Sequence, residues 1–266
     1  MKPRNLVLLV FLALIAQPLF AQDETKRPLP LSEGDISQEE NALLKQAFEL
    51  SEKGELETSW FLLKAIIEGY GKSSGSQVAQ LALANSYYSA GGSEALARAE
   101  VLYTEWSSLN WQDEEGDRVL YRLAQLQMRT LVRRDDELHR AEKTLNTLLE
   151  RFPQTSLRSQ VENDLHKIQE NLADQDLVVA KFYYTNRGAM AGAEDRLMEI
   201  LEKYKSYSKT DQVLWLLGKV EHVKEDDEQS GVYLRLLITK YPTSSLRADA
   251  CDQLGSDGEI LPDKCH

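Results

Sequence analysis

Residues 150–158 read "ERFPQTSLR" and residues 239–247 read "TKYPTSSLR", nearly one phrase written twice. A chain that repeats its own punctuation is constrained to repeat its fold, because self-similarity at a period of roughly 20 to 50 residues marks stacked supersecondary units. Aligned on the aromatic before the proline, related endings stand at Tyr70, Trp106, Phe152, Tyr204 and Tyr241, separated by 36, 46, 52 and 37 residues. In each, an aromatic is placed to pack under a turn. Proline, where present, blocks further helix, and the Thr or Ser that follows is placed to cap the next one.

The shortest intervals lie near the length of a tetratricopeptide repeat, about 34 residues in two helices that each bury one face against the next pair. The last unit carries the consensus order: Leu214, Leu217 and Gly218 on the first helix, then Pro242 where the second one stops. We therefore expect an all-α, right-handed solenoid of about five tetratricopeptide-like helix pairs over residues 37–250. Gly54, Gly91–Gly92 and Gly188 supply turns between paired helices, and Asp135–Asp136 and Asp226–Asp227 do so in units three and five. Ser37 and Glu40 have capping-box spacing and open the first helix. In unit four Leu157, Val161, Leu165, Ile168 and Leu172 recur at steps of four and three, with no Gly or Pro before Gly188. That predicts one helix of about 30 residues and accounts for the 52-residue interval. The 46-residue interval comes from the polar connection 111–117 and the long turn "RRDDELHR".

The leader, residues 1–21, combines Lys2 and Arg4 with an apolar run from Leu6 to Ala16 and Pro18 before Ala21, the pattern of a cleavable secretory signal. Residues 22–36 hold two prolines and no period, as a flexible tether does. Secretion places the only two cysteines, Cys251 and Cys265, in an oxidising compartment, where they either pair across the 251–266 tail or remain two free thiols. The net charge is −12, and the two basic residues of the leader leave about −14 on the rest. Nucleic acid is excluded as a partner, since binding it draws on clustered Lys and Arg. A protein with a basic or neutral face suits this charge.

No catalytic motif is present. His139, His166, His222 and His266 form no HExxH and no close pair, and nucleophile elbows, phosphate loops and dinucleotide loops are missing. The acidic runs at 113–117 and 225–228 lack calcium-loop spacing. No cofactor or metal is expected. Tyr87, Tyr88, Tyr121, Tyr183 and Tyr184 fall on first helices of the pairs, which line the concave wall of such arrays. Core packing suits most of them, while those facing the groove offer amphipathic rings for gripping an extended peptide.

Residues 150–204 resemble the BamD family, tetratricopeptide lipoproteins of the outer-membrane β-barrel assembly machinery. The likeness rests on the basic-aromatic-proline ending, the long helix, and Val179, Ala180, Phe182, Tyr183, Arg187, Gly188, Ala189 and Arg196. It extends more weakly over about residues 38–250. The resemblance implies a non-enzymatic scaffold whose N-terminal repeats receive unfolded outer-membrane proteins and whose C-terminal repeats dock on a β-barrel insertase, with Arg187 and Arg196 as docking residues. Family members carry a lipidated cysteine just after the signal, whereas "QPLFAQDE" has none. The expectation is a periplasmic protein, peripheral at the outer membrane, with no lipid anchor of its own. The competing readings are a periplasmic adaptor for cell-wall or division machinery of the Tol-Pal type, against which the long helix argues, and a hydrolase with only unpaired histidines to offer.

Overall fold

The computed structural model describes residues 36–109, 115–129, 135–256 and Cys265. The leader and all but the last residue of the tether lie outside the described residues. No strand occurs among the described residues, and none of their helices is long and apolar enough to cross a membrane. The chain forms two compact units, Met1–Gly91 and Gly92–His266. The division falls inside the second expected pair, at two consecutive glycines whose φ values of 69° and 79° L side chains rarely adopt.

The first unit holds α1 (Gln38–Glu52), α2 (Leu56–Tyr70) and α3 (Ser74–Ala90). The capping box forms: the Glu40 amide donates to Ser37 Oγ at 3.2 Å, and the Ser37 amide donates to Glu40 Oε2 at 3.1 Å. Leu44 and Ala47 of α1, Leu63 and Ile66 of α2, and Ala79, Leu83, Ala84 and Tyr87 of α3 are buried. Each large apolar side chain among them contributes roughly 1.5–3 kcal/mol by leaving water. Ser59 fixes the α1–α2 crossing by donating to the Ala47 carbonyl at 2.7 Å in the buried interior.

The second unit holds α4 (Ser93–Leu109), α5 (Gly116–Arg129), α6 (Asp135–Arg151), α7 (Arg158–Phe182), α8 (Met190–Lys203), α9 (Thr210–Val223), α10 (Asp227–Lys240) and α11 (Arg247–Ser256). Helices adjacent in the chain pack on one another from α4 to α11, the nearest-neighbour order of a helical repeat. One core runs from Leu120 to Val220, and a second, built on Leu214, Leu234, Leu237, Ile238, Ala250 and Leu254, seals the C-terminal end. Gly218 permits the closest approach: a Cβ there would stand 2.6 Å from Leu234 Cδ2, and its carbonyl accepts from Ser230 Oγ at 2.9 Å. Cys251 and Cys265 are bonded, with Cα atoms 5.7 Å apart, and both pack against the C-terminal core.

The duplicated phrase does more than end a helix. Phe152 lies over Gly116, where a Cβ would be 2.4 Å from the ring. Thr155 accepts from the Leu157 amide at 3.1 Å and donates to Asp117 Oδ2 at 2.6 Å. In the second copy Ser244 accepts from the Leu246 amide at 3.1 Å and donates to Asp211 Oδ2 at 2.6 Å. The hydroxyl thus makes a turn with the residue two on, and α7 begins after Leu157 with no side-chain cap. Its proton latches the turn to a carboxylate at the start of the preceding first helix. The first unit has the same carboxylate latch, Ser73 donating to Glu40 Oε1, but there the hydroxyl caps α3 by accepting from the Ser76 amide at 3.0 Å.

Candidate partner-binding cleft

Of the residues singled out from the sequence, Tyr183, Tyr184, Arg187 and Arg196 fall at the corner between α7 and α8. α7 runs for 25 residues and then widens into a five-residue π turn, Tyr183–Arg187. The expected span of about 30 residues is therefore present, with its final turn loosened to i→i−5 bonding. Gly188 ends it at φ 59° and ψ 22°, and its amide donates back to the Tyr183 carbonyl. A left-handed residue here reverses the chain into α8 without the steric penalty a Cβ would add. Arg187 closes the π turn, and its side chain lies outside the described residues. Tyr183 and Tyr184 are half-buried against the long core, while Val178 and Phe182, one helical turn apart on α7, are exposed.

A cleft of about 140 Å³ opens beside this corner, lined by His139 of α6, by Leu172, Gln175, Asp176 and Val179 of α7, and by Arg196, Glu199, Lys203 and Tyr204 of α8 and its end. Its charges alternate. Arg196 Nη1 lies 3.2 Å from Asp176 Oδ1 and 3.3 Å from Glu199 Oε2, and Lys203 bonds the other oxygen of Glu199. The Lys203 ammonium is the main reason the Glu199 carboxyl is held below its ordinary range, and the Lys203 pKa rises in return. Burial pushes the Tyr204 phenol up to about 12, helped by the negative charges of Asp176, Glu142 and Glu199. Both Arg196 contacts use Nη1, and the side chain keeps 44% of its surface open. A guanidinium has a second edge suited to a planar carboxylate.

Below the cleft, α7 is braced against the turn that leads into α9. Lys209 Nζ lies 2.6 and 2.8 Å from the two oxygens of Asp174, the Tyr207 hydroxyl donates to the same carboxylate, and Ser208 donates to Glu170. Burial and then the bond to Asp174 hold the Tyr207 phenol protonated far above its ordinary value.

The five tyrosines do not share one wall. Tyr87 and Tyr88 belong to α3 in the first unit, and Tyr121, Tyr183 and Tyr184 to the second. Tyr87 is 2% exposed with its ring 4.6 Å from that of Trp60, and Tyr121 is 5% exposed with its hydroxyl donating to Asp164 Oδ2 at 2.9 Å. Both are core side chains and offer no surface to a peptide. Tyr88, Tyr183 and Tyr184 keep part of theirs. His222 sits 2.9 Å from Asp227 Oδ1 and His139 3.8 Å from Glu142 Oε2. Among the described residues no three His, Cys, Asp or Glu side chains converge as a metal site. Reasoning from the sequence missed the π turn and the Asp176–Arg196–Glu199–Lys203 chain. The spacing of Arg196, Glu199 and Lys203 at three and four residues was the signal for the second.

The sequence model of the outer membrane lipoprotein family YfiO matches residues 37–227, most of the chain. The chain belongs to that family. This is the BamD family of the resemblance, and its match covers the cleft, the π turn and both arginines. No curated protein matches the chain. Among solved structures, a tetratricopeptide repeat protein from Parabacteroides merdae aligns at 18% identity over 84% of this chain and 76% of its own, with a TM-score of 0.37. A thermophilic TPR protein of Thermus thermophilus aligns at 12% identity over 82% and 97%, with a TM-score of 0.34. YrrB, described as a TPR protein with an unusual peptide-binding site, aligns at 16% identity over 80% and 93%, with a TM-score of 0.33.

Proposed function

We propose that this YfiO-family chain is a non-enzymatic scaffold of outer-membrane β-barrel assembly, working on the periplasmic side of the outer membrane and docking a periplasmic domain of the insertase at the α7–α8 corner. The observation that carries the reading is the geometry of Arg196. Asp176 and Glu199 hold its Nη1 in place, and the half-exposed side chain lines a cleft. Pre-positioning removes part of the ordering cost a free arginine side chain pays on binding. Arg187, at the end of the π turn nine residues earlier, is the second docking arginine. Unfolded outer-membrane proteins are the second class of partner, with Tyr88, Tyr183 and Tyr184 as the aromatic contacts.

Binding of the mature chain to the purified periplasmic region of a cognate insertase tests this, read by calorimetry alongside Arg196→Glu. The expected result is binding by the parent and at least tenfold weakening in the variant, with an unchanged helical spectrum. Absence of binding by the parent, or equal binding by the variant, refutes the reading.

A further inference from the structure

The outer surface of α10 carries a ridge with a polarity of its own. Glu228, Val232, Leu236 and Lys240 follow one another at steps of four, so they form a single i±4 row across the helix. Val232 and Leu236 are 46% and 39% exposed, two of the apolar side chains left open, and on the flank the Tyr233 hydroxyl meets Met198 Sδ of α8 at 3.4 Å. Glu228 and Lys240 are exposed, and neither forms an ion pair with a described residue. Arg98, Arg158 and Lys203, by contrast, each meet a carboxylate four residues away on their own helix.

An acidic end, an apolar middle and a basic end make this row complementary to itself when reversed. Rows at i±4 spacing pack against each other at a crossing angle of about −50°. In a two-fold pairing, the same patch on both subunits must satisfy itself. Two antiparallel copies of α10 place Glu228 of each by Lys240 of the other and bring the four apolar side chains together at the crossing. A heterologous basic partner would satisfy Glu228 and leave Lys240 facing a like charge.

We propose that the Glu228–Val232–Leu236–Lys240 ridge is a homodimer contact that joins two copies of this chain through antiparallel α10 helices. A single helix ridge buries less than the roughly 1,600 Å² of a standard stable interface, so the dimer is weak and depends on protein concentration. Its charged ends also make it sensitive to salt. The contact is independent of insertase docking, which uses α7 and α8.

Sedimentation velocity of the mature chain alone, from roughly 10 to 500 µM at low salt, tests the proposal over the range where so small an interface associates. The parent is expected to shift from monomer to dimer across the range. Glu228→Lys and Lys240→Glu each oppose like charges twice and weaken association at least tenfold. The double variant Glu228→Lys/Lys240→Glu restores it. So does an equimolar mixture of the two single variants, because each then supplies what the other lacks. Circular dichroism confirms that these surface variants stay folded. A parent that remains monomeric throughout overturns the proposal, as does association that the single reversals leave unchanged or the double reversal fails to rescue. Binding only to a different envelope protein through this ridge overturns it as well.

Discussion

Removing the latch at the second phrase tests whether the repeated hydroxyl is structural in the way its geometry implies. Ser244 makes two bonds, accepting from the Leu246 amide and donating to the Asp211 carboxylate at 2.6 Å. A hydrogen bond to a charged group contributes about 1.5–3 kcal/mol, and partial exposure of this pair points to the lower end. Loss of the acceptor for a helix-entry amide adds roughly 0.5–1 kcal/mol. Ser244→Ala is therefore expected to cost about 2 kcal/mol, expressed first in α11, which the turn introduces. Urea denaturation gives the total, and amide exchange across Arg247–Ser256 locates it. The decisive measurement is the double-mutant cycle with Asp211→Ala, where the two losses should fall short of their sum by about 1 kcal/mol or more. Additivity within about 0.5 kcal/mol means that the pair does not interact and refutes the reasoning. The same cycle at Asp117 and Thr155 must give a coupling of the same sign.

Other perturbations follow from the packing. Gly218→Ala improves helix propensity, yet its methyl must displace Leu234 Cδ2 from 2.6 Å; a net loss of about 1 kcal/mol is expected as a lowered thermal midpoint. Glu40 is held below the ordinary carboxylate range, chiefly by the Ser73 hydroxyl and then by Ser37, so its stabilisation is present above the unfolded pKa and lost as pH falls through the lower folded value. Ser73→Ala should flatten the acid side of the stability profile, and an unchanged slope would contradict the latch in the first unit. Cys265→Ser opens a loop spanning 14 residues and is expected to cost roughly 3 kcal/mol, seen as lost exchange protection in α11 rather than in α5–α7. Equal protection in both forms would show that the C-terminal core holds α11 without the bond.

Much of this architecture was written at a fixed distance from the five aromatics. The carboxylates Glu40, Asp174 and Asp211 stand 30 residues before Tyr70, Tyr204 and Tyr241, and a small residue stands 11 before each aromatic: Ser59, Ala95, Ala141, Ala193 and Ser230. In unit four that register places the latch carboxylate, Asp174, in the middle of α7, where it meets Lys209 and Tyr207. The 15 or so residues of α7 before it are thus the addition that separates a 52-residue interval from one of 37. In unit three Asp117 stands 35 before Phe152, five residues further than in the other units. Periodicity made the helices and the small residues at their crossings legible, because both depend on positions along one helix.

What stayed hidden depends on a choice between near-equal local conformations. Nothing in "YYTNR" separates a π turn from α, since the two share residue preferences and differ by which carbonyl each amide selects. The turn at Asp226–Asp227 was legible, but not that Glu225 would take the left-handed position, at φ 65°, that glycine holds in other units. The tyrosines show the same limit. Tyr87 and Tyr88 are adjacent on one helix, yet the roughly 100° between them sends the first into the core against Trp60 and leaves the second half-open. Adjacent identical residues read alike in a sequence and only the helix phase, fixed by Leu83 and Ala84 at their buried positions, tells them apart. A binding surface in a helical repeat is therefore set by phase as much as by composition. That is why Arg196, locked to Asp176 across two helices, is a better-founded candidate for the proposed docking than any tyrosine chosen for its ring.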